Sequence, residues 1–242
     1  MQSNYRLNIF LIMKNFLKQF KVLYKIFLNI RQILRVVYNT KTRSRFFWNL
    51  RDGDNLLSLN YPLNKNSLVF DVGAYKGVFT KKIFKKFKCK VYAFEPLKIY
   101  YEELSNYFEN NKDDVKIFNF GLLDEDTVLN FSNIDGASSI YPRAEGKLSS
   151  RVQMKSFINF VNENHIKKID LVYMNIEGSE YQLMNQIIET GYISNINFIQ
   201  IQFHNFVINS KENRKYIRKK LSETHKCIFN FPFVWESWKL KN

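Results

Sequence analysis

The chain has 242 residues, 45% of them hydrophobic and 24% charged, which suits one α/β domain with an extension and excludes wholesale disorder. Eight glycines and four prolines rule out collagen-like and proline-rich architectures, and two cysteines, Cys89 and Cys227, are too few for a disulfide scaffold or a thiolate metal site. The net charge of +15 is concentrated in residues 1–50, which hold five lysines, five arginines and no acidic residue. A nucleic-acid binder spreads its positive charge over the folded surface, so the expectation is no nucleic-acid partner. So few cysteines suit a reducing, cytoplasmic compartment.

Residues 1–50 read as helix. Phe10, Met13, Leu17, Phe20, Leu23, Tyr24, Phe27, Leu28 and Ile30 follow spacings of three and four, with Lys14, Lys18, Lys21, Lys25, Arg31 and Arg35 between them. The uncharged run Leu7–Met13 is far shorter than the ~20 residues a spanning helix needs, and no small-residue cleavage site follows it. Two roles fit: a helix or helix pair packed on the domain or on a second copy in a homo-oligomer, or a basic amphipathic helix lying on the inner, anionic face of a membrane. Arg51-Asp-Gly-Asp54 breaks the arm and Tyr61–Asn66 reads as a polar loop, so residues 51–66 are assigned as linker and 67–242 as the main domain.

Strands and helices then alternate. Ser67–Asp71 reads as a strand, Gly77–Phe87 as a helix, Lys90–Glu95 as a strand, Ile99–Asn110 as a helix and Val115–Phe120 as a strand. Asp124-Glu125-Asp126 turns the chain into Val128–Phe131, expected as an antiparallel hairpin partner of the strand before it. Gln153–Asn164 reads as a helix, Leu171–Asn175 as a strand, Ser179–Thr190 as a helix stopped by Gly191, Asn197–Phe203 as a strand and Lys211–Thr224 as a helix. Lys226–Phe231 and Trp235–Leu240 close the chain as an antiparallel edge hairpin. The alternation predicts a mostly parallel sheet covered on both faces.

The first strand runs into Asp71-Val-Gly-Ala-Tyr-Lys-Gly77. Gly73 lets the chain turn off the strand, and Gly77 lets the next helix approach with its N–H groups outward. Tyr75 stands where G-x-G-x-x-G has its second glycine, so the dinucleotide fingerprint is absent, which counts against a nicotinamide oxidoreductase. The second strand ends in Tyr92-Ala-Phe-Glu95-Pro96, placing an acid where one can accept both hydroxyls of a ribose. A glycine turn followed by such an acid predicts a ribose-bearing cofactor.

Together, Asp71–Gly77, Ala93-Phe-Glu-Pro96, Ile169-Asp170 with Asn175-Ile-Glu-Gly-Ser-Glu180, and Ile199-Gln-Ile-Gln-Phe-His204 resemble the FkbM-type S-adenosylmethionine-dependent methyltransferases over roughly residues 67–240. The resemblance implies the Rossmann-like class I methyltransferase fold, with a seven-stranded, mostly parallel sheet. It also implies O-methylation, commonly of sugars in bacterial surface polysaccharides or natural products, so a sugar or nucleotide-sugar is the expected partner. Gly73, Gly77 and Glu95 match the family's cofactor-binding positions, and the cofactor-binding candidates are Asp71, Gly73, Ala74, Tyr75, Gly77, Glu95, Pro96 and Gly121. Many members carry Lys and Asp where this chain has Tyr173 and Asn175, and the Asn form resembles a sugar-modifying branch.

The later motif also reads on its own residues. Asn175 and Glu177 fall at the carboxyl end of a central strand, where open α/β sheets bind ligands. Gly178 permits a tight exit, Ser179 is placed to cap the next helix, and Glu180 in its first turn reads as helix-end electrostatics. His204 ends the neighbouring strand, in phase with Gln202. The catalytic candidates are His204, Glu177 and Asn175: either of the first two as general base, the third orienting the acceptor or the cofactor's amino-acid end. His165 and His225 read as structural. The spacing of these groups specifies no metal. The substrate candidates are Ser138 and Ser139 in the loop Gly136-Ala-Ser-Ser139, Gln202 and, on the family resemblance of an aromatic–acid element, Glu236. The basic run Lys211–Lys220 reads as a solvated helix face or a site of attraction for phosphates. A methyltransferase acting on nucleic acid or on another small molecule is the alternative function.

Overall fold

The computed structural model describes residues 21–132 and 149–242. In chain order, α1 (Lys21–Tyr38) and α2 (Thr40–Leu50) precede β1 (Leu68–Val72), α3 (Val78–Phe87), β2 (Lys90–Phe94), α4 (Lys98–Tyr107), β3 (Val115–Phe118), β4 (Gly121–Leu123) and β5 (Thr127–Ser132). There follow β6 (Ser149–Ser156), α5 (Phe157–Glu163), β7 (Ile169–Met174), α6 (Glu180–Glu189), β8 (Ile196–Ile201), α7 (Ser210–Thr224), β9 (His225–Phe231) and β10 (Trp235–Leu240).

Seven strands form one sheet in the order β3-β2-β1-β7-β8-β10-β9. All neighbours are parallel except β10, which runs against both β8 and β9. This is the class I methyltransferase arrangement expected from the resemblance, with helices ahead of it. The central strands are buried along almost their whole length, since helices cover both faces and leave no polar-out side. One face packs Phe157, Leu183, Met184, Ile217 and Leu221 from α5, α6 and α7. The other packs Phe79, Ile83, Phe84 and Leu104 from α3 and α4. Strand order reverses between β1 and β7, and the carboxyl ends of those two strands therefore flank a crevice.

Three expectations are corrected. Val128–Phe131 is not a hairpin partner of the third strand: β5 pairs antiparallel with β6, in a separate small sheet of order β4-β6-β5. The third strand stops at Phe118, and at Gly121 the chain enters that small sheet. The first third of the expected helix Gln153–Asn164 is strand. Val152, Met154 and Ser156 point inward and Arg151, Gln153 and Lys155 outward, a period of two, and pairing with β5 on one side and β4 on the other overrides the helix preference of Gln, Met and Lys.

Residues between α2 and β1 add Leu59, Tyr61 and Leu63 to the core, while Pro62, Asn64, Lys65 and Asn66 of the stretch read as a polar loop are exposed. Tyr61 Oη donates to Gln200 Oε1 (2.7 Å) and lies 2.9 Å from Ser237 Oγ, and Gln200 Nε2 donates to Ser58 Oγ (2.7 Å). That network gives the buried side chains of Gln200 in β8 and Ser237 in β10 hydrogen-bond partners in the interior, as buried polar groups require.

Candidate active site

The crevice at the strand-order reversal is a cleft of about 690 Å³ including its open mouth, within the range of small-molecule sites. Its wall is made by Gly73 and Tyr75 after β1, by Glu95, Pro96 and Leu97 after β2, by Gly121, Leu122, Phe131 and Met154 of the small sheet, and by Asn175, Ile176, Glu177 and Ser179 after β7.

Gly73 is what allows the first and last of these segments to meet. Its φ is +88°, and a Cβ there would lie 2.3 Å from the carbonyl oxygen of Asn175. Tyr75 follows with φ 51°, an unfavourable angle for a bulky residue, and its backbone N–H donates to Glu95 Oε2 (2.7 Å). The Leu97 N–H donates to Glu95 Oε1 (2.9 Å). Each carboxylate oxygen thus accepts one backbone hydrogen and keeps a second lone pair, leaving two acceptor positions for the adjacent hydroxyls of a ribose. Burial pushes the Glu95 carboxyl up to about 7, against the two N–H groups that favour its charge. Asp71 is also buried and held up at about 7, chiefly by burial; Thr80 donates to its Oδ2, while its Oδ1 accepts from no group among the described residues. Asp71, Ala74 and Gly77 stand behind the cleft wall rather than in it. Gly77 is the N-cap of α3, where a Cβ would meet Leu104 at 2.1 Å.

On the opposite wall, Asn175 Oδ1 is buried and likewise without a donor among the described residues. Glu177 has φ 50° and Gly178 φ 109°, a left-handed pair that turns the Glu177 side chain into the cleft. The strained angle costs on the order of 1–3 kcal/mol and persists because the surroundings fix it. The fixing group is Glu180. Ser179 occupies the N-cap of α6 but makes no side-chain capping bond; the Glu180 carboxylate reaches back across it, accepting the Gly178 N–H at Oε2 (2.7 Å). Its Oε1 accepts the His204 backbone N–H (2.6 Å) and lies 3.2 Å from His204 Nδ1. Tyr181 Oη donates to the His204 carbonyl (2.8 Å). The first turn of α6 therefore holds both the turn bearing Glu177 and the backbone of His204.

His204 Nε2 lies 3.4 Å from Glu177 Oε1, and the Gln202 amide stands 3.2 Å from the same ring nitrogen. The imidazole is 3% exposed and lies behind Glu177, outside the cleft wall. Burial alone would lower its pKa; the hydrogen bonds and charges of Glu177 and Glu180 outweigh that and raise it to about 9. The imidazole thus lies between the Glu177 and Glu180 carboxyl groups, which together favour its charged form over its neutral one. Sequence reasoning missed Glu180, because its place at a helix start already explained an acid there. It also missed Leu97, Leu122, Phe131 and Met154, whose apolar character matches ordinary core.

The remaining candidates lie elsewhere. Glu236 is at the same edge of the sheet, but its carboxylate is taken by Arg214 (2.5 Å) and Arg218 of α7, the two basic residues that one helical turn puts on one face. Ser138 and Ser139 lie outside the described residues. His225 Nε2 bonds the Ile196 carbonyl at 2.9 Å, a structural role.

The donor set suits a ribose-bearing, cationic cofactor: two free lone pairs on Glu95, an open acceptor on Asn175, and an apolar wall of Pro96, Leu97, Leu122, Phe131 and Met154 for a purine. A family model described as the methyltransferase FkbM domain matches residues 71–229. No curated protein matches the chain. Among solved structures, SMU.1697c from Streptococcus mutans, in complex with SAH, is 13% identical over 74% of this chain and 91% of that one (TM-score 0.47). An rRNA methylase from Streptococcus thermophilus is 12% identical over 79% and 95% (TM-score 0.46). The fibrillarin pre-rRNA processing protein of Methanococcus jannaschii is 14% identical over 75% and 69% (TM-score 0.46). At such identities nothing about substrate follows.

Proposed function

This chain belongs to the FkbM methyltransferase family and is an S-adenosylmethionine-dependent methyltransferase, and from that premise we propose that it methylates a hydroxyl oxygen of a sugar, in a bacterial surface polysaccharide or its nucleotide-sugar precursor. The observation that carries this reading is Glu177, a carboxylate on the cleft wall backed by His204 and Glu180. An alcohol holds its proton far more tightly than any group that titrates near neutrality, so making a C–O bond to it calls for a base within hydrogen-bond reach.

When bound, the cofactor supplies a methyl group on a sulfonium, already activated for attack. The protein's task is to hold the hydroxyl in line and take its proton. Glu95 would hold the ribose, and Asn175 Oδ1 would accept from the amino-acid end. Glu177 takes the acceptor's proton as the C–O bond forms. Glu177 is the one of the two candidate bases that lines the cleft; His204 lies behind it and orients its carboxylate. Positioning supplies a large part of the rate, and a base adds ~10²–10⁴-fold.

The test is methyl transfer from methyl-¹³C-labelled cofactor to a panel of nucleotide-sugars. The expected result is a methoxy carbon signal on one sugar, lost at least ~100-fold in Glu177→Gln while S-adenosylhomocysteine still binds. Transfer to RNA or to an amine, with none to any sugar, overturns the proposal.

A further inference from the structure

We propose that α1 is a peripheral membrane anchor, lying in the surface of an anionic bilayer and holding the ligand edge of the sheet beside it. This goes beyond the reaction assigned above and does not depend on which hydroxyl is methylated.

The helix is divided lengthwise. Ile26, Ile30, Ile33, Leu34 and Val37 fall within one arc at 100° per residue, and they are 48–62% exposed. Lys25, Arg31 and Arg35 lie on the other side. An ordinary surface helix turns its apolar arc to the core; this one leaves it exposed from Ile26 to Val37, about 18 Å at 1.5 Å per residue. Charge selects the occupant. Residues 1–50 carry ten basic side chains and no acidic one, so an anionic surface matches both halves of the helix at once. No helix among the described residues is long and apolar enough to cross a membrane, which leaves lying on it.

The anchor is tied to the body. Trp48 of α2 is fully buried against Phe229, Phe231 and Trp235, with ring centroids 5.4–6.3 Å apart, and its Nε1 donates to Asp54 Oδ1 (2.9 Å). Gly53 lies beneath the indole, where a Cβ would come within 2.2 Å. Because β10 runs against β8, its first residue Trp235 lies at the carboxyl edge of the parallel strands, the edge that bears the cleft. Lys41 Nζ, at the start of α2, is 3.5 Å from Asn205 Oδ1, the residue after His204. The arm thus leaves the body beside the active site, so a lipid-borne acceptor would meet the cleft at the surface.

Flotation of the full chain with phosphatidylcholine–phosphatidylglycerol vesicles, and with pure phosphatidylcholine vesicles, tests this. The expected result is binding to the anionic vesicles that weakens with salt. A basic residue near the surface contributes about fivefold, so Lys25→Gln with Arg35→Gln weakens partition roughly 20-fold. Ile30→Asp with Ile33→Asp weakens it at least about 100-fold, since two buried apolar side chains are lost. Unchanged S-adenosylhomocysteine affinity in the same variants shows that the body is folded. Equal binding to both vesicle types, or none to either, overturns the proposal. So does a dimer in sedimentation that the Ile30→Asp, Ile33→Asp variant dissociates, or retention of RNA by the arm without vesicle binding.

Discussion

The sharpest test of the cleft is at Glu95. Its two oxygens accept the N–H groups of Tyr75 and Leu97 at 2.7 and 2.9 Å, and each retains a lone pair toward the cleft. Two ribose hydroxyls would make charged hydrogen bonds there, worth ~1.5–3 kcal/mol each. Glu95→Ala removes both, so the dissociation constant for S-adenosylhomocysteine should rise at least about 100-fold. The same change bares two backbone N–H groups, so Glu95→Gln is the necessary companion. It keeps one acceptor oxygen but turns an amide donor on one of those N–H groups, and should weaken binding roughly 10–30-fold, between wild type and Ala. Isothermal titration calorimetry at about pH 8, where the carboxyl is mostly ionised, measures all three proteins, and circular dichroism checks that each is folded. If folded Glu95→Ala binds within threefold of wild type, the ribose does not sit on Glu95 and the cleft has been assigned wrongly.

Other expectations follow from the same geometry. Glu180→Gln takes away one of the two carboxylates that hold the His204 imidazolium against burial; its pKa should fall from about 9 by roughly 1–2 units, read directly by NMR because the chain has three histidines. Turnover should fall with it, with the KM for cofactor little changed. Affinity for S-adenosylhomocysteine should rise between pH 6 and 8: hydroxyl donors favour the ionised Glu95, so below about 7 binding must first remove a proton. Stability of the ligand-free protein should fall over the same range. Asp71 and Glu95 have folded values above their unfolded ones, so their contribution is full below the unfolded values and is lost as pH rises through about 7; that of His204 is full below its unfolded value and lost toward about 9. Urea unfolding at pH 5.5 and 8.5, expected to differ by a few kcal/mol, checks the sign. Gly73→Ala should cost at least ~2–3 kcal/mol, since its Cβ meets backbone at 2.3 Å, whereas Gly191→Ala, at φ +74° with nothing within 4 Å, should cost only the ~1 kcal/mol of the left-handed angle.

What could be read from the sequence was what is local. Gly73 and Glu95 are legible because the turn after a first strand and the acid ending a second are short-range devices with one dominant use. Glu177 is legible because a carboxylate at a strand end has no packing reason to be there. The link between Glu180 and His204 spans 24 residues and exists only because β7 and β8 pair side by side, so no window of sequence displays it. The hydrophobic wall was hidden for a different reason: Leu122 or Met154 facing a cleft has the same composition as Leu122 or Met154 facing a core. β6 was misread where three alternating residues competed with good helix formers, and a strand partner decided the outcome. Glu236 sat at the expected edge, yet Arg214 and Arg218, read as a basic helix face, had already claimed it.

Glu180 also limits how this site can change. One carboxylate receives the amide hydrogens of Gly178 and His204, so the two loops open as a single cooperative unit, and substitutions in Glu177, Glu180 and His204 should be strongly non-additive. Neither loop can be retuned without disturbing the other. Divergence toward new acceptors is therefore channelled to parts of the cleft wall that this tie does not hold.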